Sequence, residues 1–176
     1  MTGGLPIVDL DLDNLQAEKG FLGLRTYSHA KRALEAMTLE LSRELAPRGI
    51  HVNVVYPGNA PTAMSGQMTL AMIPWWMVPV WPIFRLLMQS DDGGRGAEKA
   101  SRSSVWAATT DELASRGGGA FDTDCRPMKL KRNVADPAIQ ARVVAIVREL
   151  AKMPPLAEEK RWTGPVHSTV SQRTSS

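Results

Sequence analysis

The stretch from Tyr27 to Thr62, YSHAKRALEAMTLELSRELAPRGIHVNVVYPGNAPT, decides the fold class. Along its first half, apolar residues recur every three or four positions, which is the period of an amphipathic helix. This stripe consists of Ala30, Leu34, Met37, Leu41 and Leu45. Pro47 and Gly49 then end the helix, and a run rich in β-branched residues follows from Ile50 to Val55. A helix, a tight turn and a buried strand in this order form the second half of a β-α-β unit, so we predict an α/β protein with a parallel sheet.

The rest of the chain shows further elements of both kinds. Residues 7–15 alternate apolar and acidic side chains, which predicts a short half-exposed strand or an extended surface segment. A helix is predicted over residues 97–110. Three glycines, 117–119, precede a short strand candidate with the sequence AFDTDC. Asp136 stands where it can cap a helix that begins at Pro137.

The composition places the chain among ordinary globular proteins. Its 176 residues are 43% apolar and 22% charged, which suits one domain with a core. The 21 basic residues against 18 acidic ones give a formal charge of +3, an excess too small and dispersed to indicate nucleic acid as a partner. Cys125 is the only cysteine, which excludes an internal disulfide and a cysteine-based zinc site. The three histidines have no metal-ligand spacing, so no metal is predicted.

The first residues bear on localisation. The sequence MTGGLPIVDLDLDNL turns acidic almost at once and lacks the basic and apolar regions of a signal peptide. We therefore predict a protein that is not secreted and is either cytoplasmic or peripherally attached to a membrane.

The longest apolar run extends from Met68 to Met88. Its length approaches that of a membrane span, but it contains three prolines and Arg85, which make a single spanning helix improbable. We predict short helical pieces instead. Tryptophan suits the rim of an apolar pocket or a membrane interface, and the run contains Trp75, Trp76 and Trp81.

Tyr27 and Lys31 are the strongest candidates for chemistry. In a helix they lie one turn apart on the same side, so the tyrosine hydroxyl and the lysine ammonium can converge on one ligand. A nearby cation favours the phenolate form of a tyrosine, and such a tyrosine can exchange a proton with a substrate oxygen. The alternative interpretation is that both are surface residues of an amphipathic helix.

The whole run from Tyr27 to Thr62 resembles the short-chain dehydrogenase/reductase family. The resemblance implies that Tyr27 is the general acid/base and that Lys31 assists it by its charge while holding the nicotinamide ribose. It further implies NAD or NADP as the cofactor. The family's P-G-x-x-x-T pattern, which surrounds the nicotinamide carboxamide, is matched by Pro57, Gly58, Ala60 and Thr62.

The flanking sequences look like those of particular branches of this family. LDNLQAEKGFLGLRTY, which ends at Tyr27, resembles retinol-dehydrogenase-like and WW-domain-containing-oxidoreductase-like members. GGAFDTDCRPM, which begins at Gly118, resembles the latter group. The resemblance covers about residues 7–150. It implies that residues 68–92 form an apolar substrate lid and that the substrate is an apolar alcohol or carbonyl compound.

The glycine-rich cofactor turn of the family, T-G-x-x-x-G-x-G, has no match in this chain. The expected fold is therefore the C-terminal portion of a Rossmann-type doubly wound parallel sheet without the N-terminal dinucleotide-binding strands. We expect residues 1–153 to form this partial domain and residues 154–176 to be a disordered tail. Without the phosphate-binding half, we expect the isolated chain to be a weak or inactive NAD(P)-dependent oxidoreductase.

Two further expectations concern partners. A non-catalytic remnant that binds a protein or a membrane surface through the run from Met68 to Met88 is the alternative to an enzyme. The helix from Tyr27 to Ala46 is a candidate face for a homodimer, because the resemblance implies that the equivalent helix often has this role.

Overall fold

A computed structural model describes residues 8–58, 70, 73, 75–89, 96–113 and 118–153. Its main helices are α1 Gly23–Leu45, α2 Trp81–Gln89, α3 Ala97–Thr109, α4 Arg132–Ala135 and α5 Pro137–Ala151. The strands are β1 Val54–Val55 and β2 Ala120–Phe121, and short 3-10 helices span Leu12–Asn14, Ala46–Arg48 and Trp75–Val80. The predicted tail, 154–176, and part of the predicted lid, 68–92, lie outside the described residues.

The ends of α1 follow from local backbone chemistry. The helix begins at Gly23. Its start is stabilised by the Thr26 hydroxyl, which accepts a hydrogen bond from the backbone N–H of Leu22 at 3.3 Å. At the other end, the chain tightens into a 3-10 turn and reaches Gly49 with φ of 72°, in the left-handed region. The predicted stop at Pro47 and Gly49 is thereby confirmed.

The predicted apolar stripe of α1 is not its most buried face. Ala30 is exposed and Leu34 is half-buried, whereas Ala36 is fully buried on one side and Leu24 and Ser28 are buried on another. The reason is that α1 packs against α5 on one side and against β1 on the other. Met37 of this stripe packs against the buried cluster around Ala36, and the predicted helix itself is confirmed.

A buried acid on α1 is neutralised within the helix. Glu35 is 1% exposed, and its carboxylate accepts two hydrogen bonds from Arg32, at 2.8 and 3.0 Å. An isolated buried carboxylate would be costly, so this pairing is what allows the residue to face the interior.

The sheet confirms the predicted parallel pairing. β1 and β2 run parallel, with Val54 opposite Ala120 and Val55 opposite Phe121. The strand is shorter than the predicted run, since Ile50 is 46% exposed and regular pairing begins only at Val54. Two parallel strands establish the α/β class, and the larger doubly wound sheet stays a prediction.

The main core lies between α1 and α5. Its buried centre consists of Ala36, Val134 and Val143, and Leu10 and Leu12 pack against it from the N-terminal segment. Residues 8–13 thus alternate half-buried apolar and exposed acidic side chains, as the sequence indicates, although part of the segment is a 3-10 turn. A smaller cluster of Leu24, Ile73 and Trp81 joins the beginning of α1 to α2.

Polar contacts fix the two helices of the main core. Asp136 caps α5 by accepting a hydrogen bond from the N–H of Ala138 at 2.9 Å, which confirms the predicted start at Pro137. Arg148 on α5 donates two hydrogen bonds to Glu44 on α1, at 3.0 and 2.7 Å. None of the described helices combines the length and the hydropathy that crossing a bilayer requires.

Candidate active site

Tyr27 and Lys31 lie on the same side of α1, one turn apart. The Lys31 Nζ atom is 5.5 Å from the centroid of the Tyr27 ring, within the range of a cation–π contact. Tyr27 is 37% exposed, so its ring is accessible to a ligand. The structure therefore brings together the two residues that the sequence singled out.

The turn of α1 that carries Tyr27 is anchored on both sides of the tyrosine. Leu24, one turn earlier, is buried against Ile73 and Trp81. Ser28, the next residue, is completely buried, and its hydroxyl donates a hydrogen bond to the carbonyl of Leu24 at 2.8 Å. Ser28 thus serves the packing of the helix and does not act as a nucleophile.

The relative direction of α1 and β1 determines which chain segments can meet Tyr27. Ser42, near the end of α1, lies against Gly118 and close to the carbonyl of Val52, just before β1. The chain reverses at Gly49, so the beginning of α1 and the end of β1 lie at the same end of this layer. In open α/β sheets, ligands bind at the carboxyl ends of the strands, and this is the end at which Tyr27 stands.

Pro57 and Gly58 follow β1 at that end. The last ladder contact is the hydrogen bond from the N–H of Tyr56 to the carbonyl of Phe121, 2.9 Å long. Gly58 then has φ of 77°, in the left-handed region that favours glycine. The other two residues matched to the P-G-x-x-x-T pattern, Ala60 and Thr62, lie outside the described residues.

Two features bear on the nicotinamide cofactor that the resemblance implies. Lys31 offers a cation beside an accessible tyrosine, and Gly58, beyond the end of β1, has the left-handed backbone that favours glycine. Neither supplies the row of backbone amides that a pyrophosphate needs, and the sequence carries no glycine-rich turn for it. What these residues offer is thus confined to the nicotinamide side of such a cofactor.

A separate cavity of about 350 Å³ opens on another side of α1. Its lining includes Asp11, Arg25, Thr26 and His29, and it contains neither Tyr27 nor Lys31. We therefore do not assign the predicted chemistry to it.

His29 has a structural role that the sequence did not reveal. It is buried, and its Nε2 atom lies 2.9 Å from the backbone nitrogen and 3.0 Å from the carbonyl oxygen of Asp11. Depending on its tautomer, the ring accepts or donates one of these hydrogen bonds. His29 thereby ties the N-terminal segment to α1. Asp11 and His29 are 18 positions apart, so a pattern of neighbouring residues does not predict this contact.

Asp122, in the predicted strand segment AFDTDC, has a structural role. Asp122 accepts hydrogen bonds from the N–H groups of Asp124 and Arg126, both 2.9 Å long, and so shapes the turn after β2. Within the described part of the chain, no group of three histidine, cysteine or acidic side chains is arranged to hold a metal ion.

Comparisons with known proteins show what this chain is similar to, and one of them covers the stretch that contains Tyr27 and Lys31. A family model described as Enoyl-(Acyl carrier protein) reductase matches residues 7–77. Retinol dehydrogenase 13 of Homo sapiens is 32% identical over 115 residues, which are 65% of this chain and 33% of that protein. The WW domain-containing oxidoreductase of Homo sapiens is 27% identical over 120 residues, 68% of this chain and 26% of that protein.

A bacterial enzyme shows a shorter match. Acetoacetyl-CoA reductase of Cupriavidus necator is 36% identical over 55 residues, 31% of this chain and 22% of that protein. The chain thus spans about a third, or less, of the length of these curated relatives. No solved structure matches it significantly.

Proposed function

Because the chain belongs to the short-chain dehydrogenase/reductase family, we propose that it carries the acid/base half of an NAD(P)-dependent oxidoreductase acting on an apolar alcohol or carbonyl compound. The observation that carries this proposal is the pairing of an accessible Tyr27 with Lys31 on one side of α1. The turn that carries the pair is held by buried Leu24 and Ser28, which limits the movement of its backbone.

In the proposed reaction, the Tyr27 hydroxyl donates a proton to the substrate oxygen during reduction and accepts it back during oxidation. Lys31 stabilises the phenolate that Tyr27 becomes after donating that proton. Lys31 and the backbone at Gly58 would hold the nicotinamide side of the cofactor. The chemistry that NAD(P) supplies when bound is the exchange of a hydride with the carbon that bears the substrate oxygen.

An apolar substrate is supported by the surroundings of Tyr27. The helical pieces from Trp75 to Gln89 are joined to α1 through Trp81 and Leu24, and Leu24 lies one turn before the tyrosine. A substrate bound at Tyr27 would thus lie beside an apolar segment, where a hydrocarbon group is desolvated favourably.

We further propose that the chain alone is weak or inactive, since no segment of it matches the family's pyrophosphate-binding turn. The test joins this chain, from Val8 onward, in frame to the amino-terminal cofactor-binding segment of retinol dehydrogenase 13. Oxidation of NADH and NADPH is then followed with aliphatic ketones of increasing chain length.

We expect turnover by the fusion, with kcat/KM rising with the length of the alkyl chain, and far slower turnover by the chain alone. A fusion that folds but shows no turnover with any ketone would contradict the catalytic proposal. Equal activity of the chain and the fusion would contradict only the proposal of a weak chain.

A further inference from the structure

The segment from Trp75 to Leu86 presents an unusually apolar outer surface. Trp75 is 85% exposed and Trp76 57%, and Ile83 and Leu86 of α2 are about two-thirds exposed. Val78 and Val80 add further exposed aliphatic area. Contiguous exposed apolar residues of this kind mark interaction sites on proteins.

The inner side of this segment is already occupied. Trp81 is only 8% exposed and packs with Leu24 and Ile73, and Met77 packs against the same cluster. Ile83 and Leu86 follow Trp81 by two and five positions, which places them on the opposite side of α2 at about 100° per residue. The exposed residues are thus the outer face of an anchored segment.

The charge of this outer face favours one kind of partner. Between Met68 and Met88 the sequence contains no acidic residue, and its one charge is Arg85, which is exposed. Arg85 follows Trp81 by four positions, so it lies on the side of α2 that faces away from Ile83, where its long side chain can reach headgroups while the apolar face enters the interface. Exposed tryptophans with aliphatic neighbours and a basic residue are the composition of segments that lie in a membrane interface. A protein partner would more commonly offer charged groups of both signs at the rim.

We propose that the surface formed by Trp75, Trp76, Ile83 and Leu86, with Arg85 at its flank, lies in the headgroup region of an anionic lipid bilayer. Trp75 and Trp76 enter the boundary between headgroups and acyl chains, and Arg85 contacts lipid phosphates. The segment lies on the membrane and does not cross it, since it consists of a six-residue 3-10 helix and a nine-residue α-helix.

This docking would place the turn of Leu24 and Tyr27 directly beneath the membrane-bound segment, because Leu24 packs against its inner side. An apolar substrate could then reach Tyr27 from the lipid phase. That consequence rests on the proposed function, whereas membrane binding itself does not.

The test is co-sedimentation of the full chain with vesicles of phosphatidylcholine, alone or mixed with phosphatidylserine. We expect binding to the mixed vesicles, weakened at least about tenfold by the double substitution Trp75→Ser and Trp76→Ser. Arg85→Gln should weaken binding to the mixed vesicles by about fivefold and leave binding to neutral vesicles unchanged. The matched control changes two exposed apolar residues elsewhere, Val105→Ser and Leu150→Ser, and should bind like the wild type.

Tryptophan fluorescence gives a second readout. Lipids brominated near the headgroups should quench the wild type more than the Trp75 and Trp76 variant. Absence of vesicle binding by the wild type, or equal binding by this variant, would overturn the proposal. So would a concentration-dependent dimer that the variant abolishes without any vesicle binding, which would assign the surface to a second copy of the chain.

Discussion

The ammonium group of Lys31 lies 5.5 Å from the centre of the Tyr27 ring, on a helix whose preceding turn is anchored by the buried Leu24. Position along the helix alone brings the two side chains to one face, and the contact needs no other element. The ammonium group lies over the ring, so its positive charge can interact both with the ring and with a ligand bound next to the ring.

Replacing Lys31 by methionine keeps most of its hydrocarbon chain and removes the charge. In the fusion protein we expect kcat to fall about tenfold or more, the effect of roughly 1.4 kcal/mol of lost stabilisation, and the KM for the nicotinamide cofactor to rise. Steady-state kinetics with NADPH measures both. Lys99→Met, an exposed lysine on α3, is the matched control; an equal loss in the two variants would argue against a specific role for Lys31.

Gly118 should tolerate no side chain. A Cβ atom at this position would overlap the hydroxyl of Ser42 and the backbone carbonyl oxygen of Val52, so α1 and the strand would have to separate. We expect Gly118→Ala to lower the free energy of unfolding by about 1–3 kcal/mol in a urea titration. Gly96→Ala, where nothing lies within 4 Å of the added atom, should change it little. Equal stabilities of the two variants would show that α1 does not approach the strand as closely as described.

Gln140 should stabilise the packing of α1, α4 and α5 mainly through its hydrogen bonds and less through the space that its side chain fills. It is 2% exposed, donates to the carbonyl of Val134 at 2.7 Å and accepts from Arg43 at 2.5 Å. Gln140→Met preserves the volume but leaves both groups without this partner, so we expect a loss of about 1–3 kcal/mol in the free energy of unfolding. Gln16→Met, on the surface, is the control. A neutral Gln140→Met would mean that water replaces these hydrogen bonds.

Asp136 should contribute more to stability than an exposed ion pair. Its carboxylate caps α5 through the N–H of Ala138, and Asp136→Ala is expected to cost about 1 kcal/mol. Asp9→Ala removes a largely exposed pair with Lys131 and should cost less. Thermal unfolding followed by circular dichroism compares the two, and the reverse order of their losses would contradict the capping role.

The features predicted correctly from sequence are those determined by a few neighbouring residues. Pro47 and Gly49 end α1 because proline and a left-handed glycine act on the local backbone, and Asp136 with Pro137 begins α5 for the same kind of reason. The pairing of Tyr27 with Lys31 depends only on the helical period. For these features, the chemistry of neighbouring residues is enough to determine the structure.

The features that the sequence did not predict depend on distant partners. The hydrophobic period of α1 pointed to the stripe that contains Ala30. The buried faces of α1 are instead determined by α5 and β1, and the spacing of residues within α1 carries no information about where those elements pack. The strand begins at Val54 because only there does it meet β2. The hydrogen bonds of His29 and Gln140 join residues that are far apart in the chain, so no spacing in the sequence predicts them. The cofactor-binding roles of Pro57, Gly58, Ala60 and Thr62 all stay predictions, and Ala60 and Thr62 lie outside the described residues.

The most direct measurement of the proposed chemistry compares the two tyrosines of the chain, Tyr27 and Tyr56, in the fusion protein. Each is changed to phenylalanine, and the rate of hydride transfer from NADPH to an aliphatic ketone is measured in a single turnover. If Tyr27 is the acid/base, Tyr27→Phe lowers this rate by about 10²–10⁴-fold, and Tyr56→Phe leaves it close to the wild-type value. A Tyr27→Phe rate equal to that of Tyr56→Phe would contradict the assignment of Tyr27 as the proton donor.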